Sequence, residues 1–190
     1  GLISLTTGNA VKISNCWFAG DIEIANTSYS AACAGILGWA NNSVSMKACL
    51  NTGDIDASGA SFANGTSGHE VGSLIGMINA GTTTINNCLH VGTVTEPATP
   101  VLVGALIGNV RSGSLTVKNS YAKQENNPSV AGNGTVTWNM GETSVIISEE
   151  NLKGDAAQVC TNLDFTNYWV IQEGTTPMLQ AFSDVRDVYI

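Results

Sequence analysis

Apolar and polar residues alternate in three ten-residue phrases, ISNCWFAGDI at 13–22, MKACLNTGDI at 46–55 and INNCLHVGTV at 85–94. Alternation is the period of a β-strand, whose side chains point to opposite faces in turn. Cys16, Cys49 and Cys88 anchor the three copies, and Ser120 in KNSYAK takes the fourth place, at spacings of 33, 39 and 32 residues. Four residues after each cysteine stands Gly20, Gly53 or Gly92, opening the short runs GDIEI, GDIDA and GTVTE. A glycine-rich phrase follows further on, AGILG at 34–38, GSLIG at 72–76 and GALIG at 104–108. Its closing glycine lies 11, 12 and 12 residues before the next cysteine or Ser120, and Ser4 in the opening GLIS lies 12 before Cys16. No stretch before residue 145 shows a helical period.

Three short β-branched runs per repeat, punctuated by Gly and Asn, predict a β-solenoid. The expected fold is all-β, a right-handed parallel β-helix of about three to four coils with a C-terminal capping segment. One coil cannot bury its inner face alone, so equivalent residues must stack in columns. Ile13, Met46, Ile85 and Val117 should form one inward column. Ile22, Ile55 and Val94 should form a second, and Leu37, Ile75 and Ile107 a third. The cysteines and Ser120 suit another, because Cys behaves as a small hydrophobe. Asn15, Asn87 and Asn119 fall at a bend, where Asn tolerates unusual backbone. The segments of variable length, 25–33, 57–71 and 95–103, read as loops on one side.

Stacked cysteines keep their Cβ atoms about 4.8 Å apart, beyond the roughly 3.5–4.5 Å of a disulfide. Free buried thiols are therefore expected. Spacings above 30 residues lack the close Cys/His pairs of a zinc site, and Cys33 and Cys160 lie outside the column.

After Ser120 the repeat fades. Residues 1–122 read as repeats, and 123–190 as a degenerate final turn plus an aromatic cap within one structural domain. QENNPSVAGNGTV at 124–136 reads as loop or degenerate turn, and SEENLKGDAAQVC at 148–160 as one or two helical turns beginning at Ser148. In DFTNYWVIQEGTTPMLQAF, Phe165, Trp169, Pro177 and Leu179 are expected to close the open end of the solenoid, where strand edges and core would otherwise be exposed. The rival reading of these aromatics is a sugar-binding platform.

Only 12% of residues are charged, the net charge is −8 and the chain holds seven Lys and Arg. That excludes the large basic face a nucleic-acid partner requires. The longest apolar run, VLVGALIGNV at 101–110, is too short to span a membrane. The abrupt opening reads as that of a fragment separated from its targeting segment and from further domains of the same protein.

The Asn-Cys-x-x-x-Gly-x-Ile phrase, alternating with Gly-x-Leu-Ile-Gly, resembles the GLUG-motif repeats of bacterial surface proteins, including adhesin-like proteins of gut Bacteroides. The closing LDFTNYWVIQEGTTPML is similar to the segment that ends such arrays. The resemblance covers 1–122 as repeats and about 145–182 as the cap. Ala48 replaces the Asn before Cys, Ser120 replaces Cys, and 57–71 carries an insertion. The resemblance implies an extracellular or cell-surface, non-catalytic, adhesin-like module with host glycans or extracellular-matrix proteins as partners, and no catalytic, cofactor or metal residues. An inert stalk presenting another domain is the alternative, and a carbohydrate-binding or carbohydrate-active β-helix a second.

Two acidic columns are predicted on the outside, Asp21 with Asp54 and Glu23 with Asp56. Two charges about 5 Å apart in water repel by roughly 0.8 kcal/mol, tolerable as a solvated face, though hard oxygens also suit calcium. Enzymatic use of the scaffold needs clustered acids beside a base. Only His69-Glu70, in the insertion, and His90, in the turn after Cys88, invite that reading, and His69-Glu70 reads first as a loop dyad. An ice-binding face suggested by Thr82, Thr83 and Thr84 is discounted for want of Thr-x-Thr columns across repeats.

Overall fold

The computed structural model describes residues 1–25, 31–60, 69–97, 102–123, 131–133, 136–138, 145–148, 150–153, 160, 162–171 and 174–188. Within these, the chain is all-β with parallel sheets. The first repeat supplies β1 (Ile3–Thr6), β2 (Val11–Phe18), β3 (Ile22–Glu23) and β4 (Ala32–Ala34). The second supplies β5 (Leu37–Ala40), β6 (Val44–Asn51), β7 (Ile55–Asp56) and β8 (Glu70–Gly72). The third supplies β9 (Ile75–Ile78), β10 (Thr82–Asn86), β11 (Leu89–His90), β12 (Val94–Thr95) and β13 (Val103–Gly104). Next come β14 (Ile107–Val110), β15 (Ser114–Lys118) and β16 (Tyr121–Lys123), and then β17 (Ala131–Asn133), β18 (Val136–Trp138) and β19 (Val145–Ile147).

Each strand pairs with its counterpart one repeat away. One sheet runs β1-β5-β9-β14-β17, a second joins the β2, β6, β10/β11, β15/β16 and β18/β19 strands, and two smaller sheets run β3-β7-β12 and β4-β8-β13. The parallel pairing thus continues past Ser120, through residues where the repeat is no longer legible. Of the stretch expected as loop, 131–133 and 136 lie in strands, while 124–130 and 134–135 lie outside the described residues. So do 26–30, 61–68 and 98–101, the centres of the three variable segments.

The expected columns are present. Ile13, Met46, Ile85 and Val117 stand in register and are buried. Leu37, Ile75 and Ile107 align, as do Ile22, Ile55 and Val94. Cys16 registers with Cys49, and the Cys88 N–H donates to Ser120 Oγ at 3.1 Å.

One residue per repeat explains how both Ile13 and Cys16 point inward, although strict alternation would separate them. Asn15, Ala48, Asn87 and Asn119 adopt left-handed φ of 52°, 50°, 55° and 49°. Asn is the non-glycine residue best suited to that region, whereas Ala pays for its Cβ there. The left-handed residue shifts the phase of the strand by one. The residue after each cysteine, Trp17, Leu50, Leu89 or Tyr121, therefore points outward, and the next, Phe18, Asn51, His90 or Ala122, points inward.

The glycine phrase answers a second constraint. The strands β4, β8 and β13 fold back close to β5, β9 and β14. A Cβ on Gly76 would lie 2.7 Å from both the Cys33 nitrogen and the Gly38 oxygen. Gly38 and Gly108 face backbone just as closely.

The C-terminal segment does not close an end of the sheets as expected. It lies along the outside of the largest sheet. Leu152, Cys160, Leu163, Trp169, Met178 and Leu179 are buried with Leu50, Leu89 and Tyr121 in one cluster. The segment crosses the repeats in reverse order. The Asn162 N–H donates to Tyr121 Oη at 3.4 Å, the Asp164 N–H to Asn87 Oδ1 at 2.6 Å, Lys47 Nζ sits 4.6 Å over the Tyr168 ring, and Phe182 tilts against Trp17 at 5.7 Å. The reason is the outward apolar column, which water would otherwise wet in every repeat. A short antiparallel pair, β20 (Trp169–Val170) and β21 (Met178–Leu179), stiffens this strap, and 3₁₀ turns at Glu150–Leu152 and Gln180–Val188 flank it. The turn at 150–152 begins as expected, with Ser148 Oγ accepting the Asn151 N–H at 3.4 Å.

Two substitutions test this packing by urea denaturation. Gly76→Ala is expected to lower stability by about 1–3 kcal/mol, because backbone cannot yield to the new methyl. Trp169→Ala is expected to lower it by about 3–5 kcal/mol, since Trp169, on the strap, is fully buried against the sheet. A loss under half a kilocalorie in either would refute the corresponding contact.

Candidate functional site

The acidic columns stand where the repeat places them, and the carboxylates of Asp21, Asp54 and Asp56 are engaged. Asp21 Oδ1 accepts the Asp54 N–H at 2.9 Å, and Asp54 Oδ1 accepts the Thr93 N–H at 2.7 Å. Each aspartate thereby fastens the turn of one repeat to the next. Glu23 and Asp56 stand in register and are exposed. Asp56 Oδ1 accepts the Ser58 N–H at 2.8 Å, and Ser58 holds the Asp56 carboxyl below the usual range. Calcium takes six to eight oxygens. Among the described residues no group of three or more His, Cys, Asp and Glu is placed to hold a metal ion.

His69 and Glu70 do not form an exposed loop dyad. Both are buried, and Glu70 sits on β8, registered with Ala32. Arg111 Nη2 donates to Glu70 Oε1 at 2.9 Å, and the Asn109 amide lies 3.5 Å from the same oxygen. Glu70 is buried while the Arg111 side chain is about half exposed, so solvent screens the pair on the arginine side. The carboxylate that suggested acid/base chemistry is thus a structural counter-ion, forty-one positions from its arginine.

His90 is likewise not in a turn. It lies on β11 beside Asn51, with no exposed surface and Nδ1 3.3 Å from the Asn51 carbonyl oxygen. Asn51 is buried too, and its amide donates to the Ser73 carbonyl at 3.0 Å while its Oδ1 accepts the Gly53 N–H at 2.9 Å. Sequence reasoning missed this inward polar row because it placed His90 in a turn directly after Cys88. Alternation continued from the inward cysteine is the signal that would have found it, since the second residue after the cysteine then faces inward.

All five cysteines are free. Cys16, Cys49 and Cys88 each donate Sγ–H to the carbonyl two residues back, at 3.4–3.5 Å, and Ser120 Oγ does the same at 2.8 Å. Burial pushes the thiols of Cys16 and Cys33 up, and that of Cys160 up to about 12. The Cys49 thiol is raised first by its bond with Cys88 and then by burial.

The hydroxyl columns discounted above do exist in mixed form. Ser45, Thr84 and Thr116 stand in register, and Ser114 Oγ donates to Thr82 Oγ1 at 3.4 Å. Of the aromatics expected as a cap or platform, Trp169 is buried, while Phe165 and Tyr168 are half-buried in the strap cluster. Among the described residues the exposed large hydrophobics are Leu2, Leu5 and Trp39, at 50%, 46% and 36%. Leu5 registers with Trp39 on the outer face of the first sheet. Beside them a cleft of about 200 Å³ opens between Ile3, Ser4, Ile22, Ala32 and Cys33.

Family models, curated proteins and solved structures were compared with the chain, and none matches.

Thiolates, not thiols, react with alkylating agents, so the arrangement predicts an order of labelling. In the native chain iodoacetamide should modify Cys16 and Cys33 first, with Cys49, Cys88 and Cys160 protected until denaturant is added. Peptide mass mapping reads this directly, and early modification of Cys88 would contradict its place inside the sheets.

Proposed function

We propose that the chain is a right-handed parallel β-helix acting as a non-catalytic, adhesin-like module of a bacterial surface or secreted protein. The observation that carries this reading is the in-register parallel pairing of four kinds of strand, each with its counterpart in the next repeat. The preferred hand of parallel crossovers supports a right-handed winding. A scaffold of this kind offers length and a large lateral surface from few residue types. Its low charge suits polar, neutral partners such as host glycans or extracellular-matrix proteins.

The non-catalytic reading is supported by where the candidate groups lie. Glu70 is occupied by Arg111, and His69 and His90 are buried. A stalk that presents another domain is the second reading. It is favoured by the plain Ser, Ala, Gly and Thr composition of most of segments 25–33 and 57–71.

A binding screen of the purified chain against glycan arrays and matrix proteins separates the two. Saturable binding lost on replacing 57–71 with a short Gly-Ser linker is expected for the adhesive reading. A screen without hits would leave the stalk. Cleavage of a polysaccharide, lost in His69→Ala, would overturn both.

A further inference from the structure

We propose that the C-terminal strap is a separable cover. Its described residues, 162–171 and 174–184, leave the flank as one unit while the repeats stay paired, and an apolar ridge is uncovered. This holds for an adhesive module and for a stalk alike. Three observations carry it.

The first is how the hydrogen bonds are divided. Neighbouring repeats are joined by backbone ladders, as in the run from Val11 on Val44 to Phe18 on Asn51. Among the described residues, β20 and β21 pair with each other and with no strand of the repeats. The strap also satisfies its own backbone. The Gln180 N–H donates to the Tyr168 carbonyl at 2.9 Å, and Gln180 Nε2 donates to the carbonyls of Phe165 and Trp169 at 3.1 and 3.0 Å. Asp164 Oδ1 accepts the N–H of Thr166 at 3.2 Å and that of Asn167 at 3.0 Å. Where strap N–H groups meet the repeats they meet side chains, Asn162 at Tyr121 Oη and Asp164 at Asn87 Oδ1. Undocking exchanges these bonds for bonds to water and breaks no rung of a ladder.

The second is the separation of two cores. The strap packs on Leu50, Leu89 and Tyr121, which point outward, whereas Met46, Cys49, Ile85 and Cys88 lie in a cluster between the sheets. The two clusters share no residue. Lifting the strap therefore wets the first cluster and leaves the second dry. Units with separate cores and few shared hydrogen bonds open independently of one another.

The third is the rim of the contact. Lys47 lies over the Tyr168 ring and Phe182 tilts against Trp17, and all three aromatic side chains are only partly buried. Pairs of this kind hold weakly where water reaches them. Inside that rim, opening uncovers Trp17, Leu50, Leu89 and Tyr121 in one contiguous row, a surface that soluble chains rarely leave exposed. The fold thus keeps an apolar surface in reserve and releases it without unfolding the repeats.

Cys160 lies in the strap cluster and Cys88 between the sheets, so two thiols report on the two units. Pulse labelling of the full chain with iodoacetamide across a urea series, read by peptide mass mapping, tests the proposal. Cys160 is expected to become labelled at lower urea than Cys88, with the far-UV circular dichroism of the sheets retained between the two midpoints. Fluorescence of the dye ANS, which binds exposed apolar surface, should rise with the Cys160 step. Phe182→Ala should move the Cys160 midpoint to lower urea, raise Cys160 labelling in dilute urea at least fivefold, and leave the Cys88 midpoint in place. Lys47→Ala should act in the same direction by a smaller amount. One shared midpoint for Cys160 and Cys88 overturns the proposal. A shift of both midpoints together in Phe182→Ala overturns it too, since strap and repeats would then open as one.

Discussion

The in-register parallel pairing of one repeat with the next is the constraint on which the rest depends. Strands about 4.8 Å apart force each position to share its environment with the same position in both neighbours. Columns such as Ile13, Met46, Ile85 and Val117 are therefore filled by residues of similar size and polarity, while the row Phe18, Asn51, His90 and Ala122 is mixed. That is why Ser120 can stand for cysteine, repeating its hydrogen bond to the carbonyl two residues back. It is also why a polar residue enters the interior at Asn51 and His90 only where amides and carbonyls of adjoining turns are within reach.

Within that frame a single backbone feature decides what faces in. The left-handed residue before each cysteine lets two inward residues stand three apart, and it sends one large apolar residue outward per repeat. Ala48 holds the same φ as its Asn counterparts, so stacking on both sides imposes a conformation that its own preference disfavours. The glycines at 38, 76 and 108 are the second fixed point, because there backbone meets backbone and no side chain fits.

These two features mark the limits of what could be read from the chain. The inward columns were legible because identical residue types recur at nearly constant spacing. The bend was legible because Asn recurs there. The last layer was not, since Ala131 stands in register with an isoleucine and Trp138 with a valine, while the parallel pairing continues. The Glu70–Arg111 pair was illegible for another reason. It joins positions on two repeats that carry unlike residues elsewhere in their columns, so no periodicity announces it. His90 was misplaced by reading a turn directly after Cys88, where Leu89–His90 form a strand and the alternation continues.

The aromatic strap follows from the same accounting of faces. Trp17, Leu50, Leu89 and Tyr121 form an apolar ridge across four repeats, and a contiguous exposed ridge of that kind is rare on a soluble chain. Each large side chain removed from water contributes about 1.5–3 kcal/mol, and the segment's buried Leu152, Leu163, Trp169, Met178 and Leu179 cover this ridge. The segment's path ties the first repeat to the fourth, from Phe182 on Trp17 to Asn162 on Tyr121. Repeats held otherwise by nearest-neighbour contacts thus acquire one connection that spans them all, so loss of the strap should loosen the whole array rather than one end.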